Sequence, residues 1–194
     1  YLRDIFRKFD RSLIKKLLGA AWPFALLGLL GGIMLNTDII MLGWMRTAAE
    51  VGYYSAAQKI IFTLYVLPTL IGTAAFPSWT RLALSLDKAG FRDLLEKALK
   101  IVFLAGLPIV VGGIILGEGL ITLLYGPEYL PTVTSFRILL LSIVLNYPAT
   151  IFGNALFAYD QQKSFIKYAA IGAIGNIIFN ALLIPFWGIA GAAL

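Results

Sequence analysis

The chain has 194 residues, of which 60% are hydrophobic and only 13% charged, with a net charge of +6. The apolar share exceeds the roughly 45–50% of an ordinary soluble domain, so a soluble globular fold is excluded. The chain contains neither cysteine nor histidine. Disulfides and thiolate zinc sites are therefore excluded, and the side chain that most readily shuttles protons near neutral pH is missing. We expect no metal and no cofactor.

Long apolar segments follow one another along the whole chain, each near or above the roughly 17–25 residues that cross a bilayer core as helix. The pattern predicts an all-α polytopic membrane helix bundle, with about five complete transmembrane helices and the start of a sixth. We place the spans at about 17–43, 51–81, 100–125, 133–159, 165–186 and, truncated, 188–194. The open last span and a first residue other than Met predict an excerpt of a longer protein.

The lysines and arginines alternate with the spans instead of gathering in one patch. Thirteen of the sixteen lie in segment 1–16 and in the second and fourth polar connections, whereas the other connections hold only Arg46 and Arg137. A nucleic-acid surface would collect basic residues on one face with interleaved aromatics, so no nucleic-acid partner is expected. The positive-inside rule predicts a cytoplasmic N-terminus.

Segments 1–16 and 87–100 each place apolar residues on one helical face and charged residues on the other. Each segment is predicted to form an amphipathic helix on the cytoplasmic membrane surface. For 1–16, a plain linker whose charges orient the next helix explains the pattern equally well. The predicted domains are the linker helix over 1–16 and a transmembrane helical lobe over 17–194.

Two opposite charges lie inside the predicted spans, where an ionised side chain costs about 2.5–3.5 kcal/mol without a partner or a cavity. Asp38 and Lys59 have similar depths in the outer halves of two consecutive spans. We predict that they face each other or share a water-filled cavity; the alternative is that each extends separately to the interface. Glu118, in the outer third of the third span, is predicted to be interfacial.

Polar side chains also recur every four residues along the fourth and fifth spans. The fourth span carries Ser142, Asn146, Thr150 and Asn154, and the fifth carries Gly172, Asn176 and Asn180. Such stripes either line an aqueous cavity or join helices by hydrogen bonds. Prolines inside several consecutive spans favour the cavity, because kinked helices are tolerated where helices bend around one.

Several short motifs occur in a set order over nearly the whole chain. They are DIIMLG at 38–43, VGYYSAA at 51–57, ITLLYG at 121–126 with Tyr129, Gly153 and Asn154 with Ala158 and Gln162, NIIFN at 176–180, LIP at 183–185 and GIAGAA at 188–193. Taken together, the motifs resemble the polysaccharide-biosynthesis flippases of the multidrug/oligosaccharidyl-lipid/polysaccharide exporter superfamily.

This resemblance implies about twelve to fourteen helices in two lobes, which move an undecaprenyl-pyrophosphate-linked oligosaccharide to the outer leaflet by alternating access. The chain would form most of the second, C-terminal lobe. Its partners would be the missing first lobe of the same chain, the lipid-linked oligosaccharide and membrane lipids. The location would be the cytoplasmic membrane of a bacterium or archaeon. Because no bond is made or broken, the protein is not expected to be an enzyme.

The resemblance further implies cationic side chains that bind the pyrophosphate in a cavity between the lobes, for which Lys59 and Arg137 are candidates. The residues predicted to line the cavity are Asp38, Lys59, Arg137, Asn146, Asn154, Asn176 and Asn180.

Three other functions stay open. A cation-coupled drug or small-molecule antiporter of the same superfamily would use Asp38 and Glu118 as coupling carboxylates. A membrane glycosyltransferase or ligase acting on the lipid carrier would need acid/base or metal-binding carboxylates, and the short outer connections hold almost none. A non-transporting scaffold would use the polar stripes only to join helices.

Overall fold

The computed structural model describes residues 11–194, and their backbone is helical with short turns. The helices are α1 (Arg11–Met45), α2 (Ala48–Leu64), α3 (Val66–Leu84), α4 (Lys88–Tyr125), α5 (Thr132–Ala158) and α6 (Gln162–Ala193). A short 3-10 helix at Pro127–Tyr129 joins α4 to α5. Five segments, with α2 and α3 counted as one, are long and apolar enough to cross a membrane. The predicted all-α membrane bundle is confirmed.

Local sequence signals set the helix ends. Thr47 and Glu50 form a reciprocal capping box at the start of α2, which satisfies two backbone N–H groups that lack helical partners. Asp87 caps α4 by accepting a hydrogen bond from the backbone N–H of Gly90. Gly126 ends α4 with a φ of +94°, a conformation that favours glycine, and Pro127 follows it. These caps keep the connections between spans short.

The second predicted span consists of two helices, α2 and α3, which meet at Tyr65. Pro68 explains the break, since it has no N–H to donate to the carbonyl of Leu64. The hydroxyl of Tyr147 on α5 donates to that carbonyl instead, at 2.8 Å. The hydroxyl of Tyr65 lies 3.1 Å from that of Ser142, also on α5. The break is therefore stabilised by α5, as a polar backbone group inside a membrane requires.

Helix α5 lies at the centre of the bundle, in contact with α2, α3, α4 and α6. Its fully buried side chains, among them Leu140 and Ile143, belong to the larger apolar core. Helices α1 and α6 pack along each other and form a second, smaller core with α2, around Leu42, Tyr54 and Ile184.

The outward surface of the bundle is apolar. Leu104, Leu123 and Phe186 are 78%, 82% and 82% exposed, and many other large apolar side chains share this exposure. Monomeric soluble proteins rarely show such continuous apolar surfaces, whereas lipid solvates them. The surface therefore agrees with the membrane location indicated by helix length and composition.

The predicted surface helix over 87–100 is not a separate element. Helix α4 runs through it without interruption for 38 residues and includes Pro108, because no proline separates 87–100 from the predicted span that begins at 100. At 1.5 Å per residue α4 is about 57 Å long, well beyond the roughly 30 Å bilayer core. Its charged first turns therefore lie outside the core. In the predicted linker helix, 1–10 lie outside the described residues and 11–16 belong to α1.

Helix α6 is broken at Gly188, whose φ of 57° and ψ of −132° are not helical. The break coincides with the predicted boundary between the fifth and sixth spans. After it, Ala192 and Ala193 return to the smaller core, where both are buried.

Candidate functional site

Asp38 is the centre of a polar cluster that joins α1, α2 and α6. Its Oδ2 accepts a hydrogen bond from the hydroxyl of Tyr54 at 2.8 Å. Its Oδ1 accepts one from Nδ2 of Asn180 at 2.7 Å and one from Nδ2 of Asn176 at 3.3 Å. The Tyr54 hydroxyl also lies 3.2 Å from the carbonyl oxygen of Ala192, beyond the α6 break. Tyr54 and Asn180 are buried, so these bonds fix how the helices meet.

The Asp38 carboxylate is held by neutral donors. Within residues 11–194, the ion pairs are Arg46 with Glu50, Arg92 with Glu96 and Lys97 with Asp93, and Asp38 belongs to none of them. Asn176 donates to Asp38 through its Nδ2, but its Oδ1 is buried and has no hydrogen-bond partner in the described residues. The cluster thus combines a carboxylate with an unsatisfied amide oxygen, and hard cations prefer oxygen ligands of both kinds.

The predicted direct pairing of Asp38 with Lys59 is wrong: Lys59 is exposed and forms no ion pair in the described part of the chain. The physical reason is helical phase. Tyr54 occupies the side of α2 that faces Asp38, and five residues further on the side chain points roughly 140° away around the helix. A shared aqueous cavity, and separate extension of each side chain to the interface, both stay predictions.

The remaining predicted residues lie apart from the cluster. Arg137 is exposed, and its Nε donates to the carbonyl of Ile114 on α4 at 3.1 Å. Asn146 is exposed and borders a cleft of about 570 Å³ between α1, α5 and α6. Asn154 packs against Gly72 of α3, where an added Cβ would lie 2.6 Å from its Nδ2. Of the seven predicted residues, the structure brings together Asp38, Asn176 and Asn180.

Sequence reasoning missed Tyr54, the donor that ties α2 to Asp38. Tyr54 lies within the VGYYSAA motif, and a tyrosine that is fully buried inside a membrane helix bundle needs a partner for its hydroxyl. Nothing in the sequence distinguishes it from the adjacent Tyr53, which is only half-buried.

Arg46 has a structural role that its place in an outer connection did not indicate. Its Nη2 donates to the carbonyl oxygens of Ile184 and Pro185 at 2.6 and 2.9 Å, and its Nε donates to Ile184 at 3.2 Å. Both carbonyls lie in the last turn of α6 before the break at Gly188, where a helix runs out of backbone donors. Arg46 therefore caps this end of α6, with Glu50 4.0 Å from its guanidinium.

Arg46→Ala should lower the free energy of unfolding by about 1.5–3 kcal/mol, the range for hydrogen bonds to a charged group. The matched control is Arg92→Ala, which removes an exposed i,i+4 pair worth about 0.3–0.5 kcal/mol. Thermal unfolding of the detergent-solubilised protein measures both. Equal shifts for the two variants would contradict the capping role.

Comparison with known proteins places these features in a family. Residues 3–134 match the family model described as "Polysaccharide biosynthesis protein". The chain is 32% identical over 161 residues to "Probable flippase AglR" of Haloferax volcanii, covering 81% of the chain and 33% of that protein. It is 22% identical over 158 residues to "Probable low-salt glycan biosynthesis flippase Agl15" of the same organism, covering 80% and 33%.

A bacterial relative is "Probable lipid II flippase MurJ" of Vibrio cholerae, 23% identical over 170 residues, covering 83% of the chain and 32% of that protein. The chain thus spans about a third of the length of these relatives. No solved structure shows a significant match. From the family match over residues 3–134 and the five apolar helices, we conclude that this multi-pass membrane protein belongs to the polysaccharide biosynthesis protein family.

Proposed function

We propose that the complete protein is a transporter that moves a lipid-linked oligosaccharide, of the undecaprenyl-pyrophosphate type, across the cytoplasmic membrane of a bacterium or archaeon. The transport would proceed by alternating access between this lobe and a first lobe of the same chain. Relatives that carry the name flippase support the class of cargo. The function needs no bond chemistry, so we propose a transporter and not an enzyme.

The observation that carries this proposal is an exposed lysine within a membrane span, on a face where exposed threonines alternate with exposed apolar side chains. Lys59 and Thr63 lie one turn apart on α2, Thr69 and Thr73 one turn apart on α3, and all four are exposed. Lipid solvates a lysine poorly, so an exposed lysine in a span needs water, the membrane interface or another part of the protein beside it. We infer that this face borders the cavity between the lobes. There Lys59 acts as a point charge for the pyrophosphate, and the exposed Arg137 offers a second cation.

The orientation we propose places the start of α4 in the cytoplasm, because the basic residues concentrate at this end of the spans. A membrane-impermeant amine reagent added to intact cells should leave Lys97 unlabelled and should label it after the cells are opened. Labelling of Lys97 in intact cells would show that the start of α4 lies outside the cell, the opposite of the proposed orientation.

Lys59→Gln should reduce translocation of the lipid-linked oligosaccharide at least tenfold, because the variant keeps the size of the side chain and removes the charge that binds phosphate. Lys59→Arg should keep most of the activity. The control is Lys88→Gln, at the charged start of α4. An Arg46 variant would not be a suitable control, because Arg46 caps α6. Translocation is measured in proteoliposomes that contain the complete protein. Equal rates for Lys59→Gln and Lys88→Gln would refute the cavity role.

A second candidate function, a cation-coupled antiporter, is favoured by the Asp38 cluster. The Asp38 carboxylate has no cationic partner in residues 11–194, and the buried Asn176 Oδ1 beside it lacks a donor. Together they suit a monovalent cation that drives transport. Glu118, the other candidate carboxylate, is exposed and lies outside the cluster. Transport that does not respond to an imposed sodium or proton gradient would exclude this coupling.

A further inference from the structure

The cleft between α1, α5 and α6 is apolar and lies next to a basic surface. An amphiphile has a matching apolar tail and a charged head group. The cleft, of about 570 Å³, is lined mainly by apolar and aromatic side chains, including Phe24 on α1, Phe157 on α5 and Phe165 on α6. Phe157 makes edge contacts with both other rings, with centroids 6.0 and 5.9 Å apart. The three rings form a continuous aromatic wall.

A basic surface adjoins this cleft at the start of α6. Lys163, Ser164, Lys167 and Tyr168 border an open surface pocket on α6, and Tyr168 also lines the apolar cleft. Tyr168 therefore lies between the basic surface and the apolar cleft. Both lysines are exposed, and neither takes part in an ion pair within residues 11–194. Two ammonium groups one turn apart complement a phosphate or diphosphate.

The cleft is also open where α1 contributes glycine. A Cβ added at Gly28 or Gly31 would meet no heavy atom of the described residues within 4 Å. In contrast, a Cβ at Gly172, where α1 and α6 touch, would lie 3.3 Å from Met34. The open glycines leave room beside the wall of rings for a hydrocarbon chain.

We propose that this cleft binds the hydrocarbon chain of an isoprenoid lipid phosphate, with the phosphate groups on Lys163 and Lys167. The inference rests on the proposed function, since the cargo then carries its sugar on such a lipid. It adds a site for the lipid portion, distinct from the Lys59 face and the Asp38 cluster. At the start of α6 the phosphate would lie at the cytoplasmic surface, where the cargo is first captured.

The test is equilibrium binding of radiolabelled geranylgeranyl diphosphate to the complete protein in phosphatidylcholine nanodiscs. Gly31→Leu fills the cleft and should weaken binding at least tenfold, whereas Gly31→Ala adds one methyl and should retain it. The control is Gly112→Leu on α4, where an added Cβ also meets no heavy atom of the described chain within 4 Å. Binding to this variant should stay within twofold of binding to the wild type.

A second set of variants tests the charges. Lys163→Gln combined with Lys167→Gln should weaken binding at least tenfold. The control, Lys88→Gln combined with Lys97→Gln, should change binding less than twofold. Unchanged binding in Gly31→Leu or in the first lysine pair overturns the proposal. Displacement by phosphatidylglycerol as effective as by unlabelled geranylgeranyl diphosphate also overturns it, since the site then takes membrane phospholipid. Variants are compared at matched thermal stability and monodispersity.

The failure of this inference and of the proposed function can be told apart. If Gly31→Leu protein binds the diphosphate and translocates oligosaccharide normally, the cleft is not the lipid site and the flippase function stands. If the wild-type protein shows the expected binding pattern but translocates no lipid-linked oligosaccharide, the proposed function fails while the lipid site is supported.

Discussion

Asp38→Ala should be among the most destabilising single substitutions in this helical bundle, lowering the free energy of unfolding by about 2–5 kcal/mol. The substitution removes the acceptor for Tyr54 and Asn180, and a buried donor left without a partner costs about 1–3 kcal/mol. Tyr54 keeps one weaker acceptor, the carbonyl of Ala192 at 3.2 Å, which limits the loss. Transport should be lost as well, because α1, α2 and α6 no longer share a fixed polar contact.

Two comparisons make this result specific. Asp93→Ala, which breaks the exposed i,i+4 pair with Lys97, should change stability by less than about 0.5 kcal/mol. Combining Asp38→Ala with Asn180→Leu should be less destabilising than the sum of the single changes, because removing both partners leaves no orphaned amide. Thermal unfolding in detergent gives all the values. Strict additivity of the two changes would show that they do not interact.

The bundle itself was predictable because lipid imposes one strong rule, namely that each span satisfies its backbone internally over a long apolar stretch. Lengths of apolar sequence therefore located the five spans. The same rule does not show where a span bends. At Pro68 the sequence indicates a missing N–H, but only the structure shows that Tyr147 from a distant helix supplies the donor for Leu64.

The candidate site was predictable in composition and only partly in pairing. The i,i+4 spacing of Asn176 and Asn180 correctly indicated one polar face, because it follows from helical geometry alone. The partner of Asp38 was missed because interhelical contacts depend on rotation of each helix about its axis, which charge complementarity does not fix. Lys59 had the attractive charge, yet the neutral Tyr54 had the correct phase on α2.

The break within α6 at Gly188 positions two of the contacts described above. At Gly188 the backbone takes a φ of 57°, which costs a residue with a side chain about 1–3 kcal/mol. Three residues later the chain passes so close to its own preceding turn that a Cβ on Gly191 would lie against the carbonyl of Leu183, with the carbonyl carbon only 2.7 Å away. This return brings the Ala192 carbonyl to Tyr54 and leaves the end of α6 to Arg46.

Gly191→Ala should therefore destabilise the helical bundle by about 1–3 kcal/mol, the usual cost of overpacking, because the obstructing atoms are backbone and cannot rotate away. The matched control is Gly175→Ala, also within α6, where an added Cβ meets nothing within 4 Å among the described residues. That change should be neutral or stabilising by about 0.5–1 kcal/mol, since alanine favours helix over glycine. The two substitutions add the same methyl group, so opposite shifts in the unfolding temperature isolate the tight turn as the cause. An unfolding temperature for Gly191→Ala as high as that for Gly175→Ala would mean that the chain reaches the Tyr54 contact by another path.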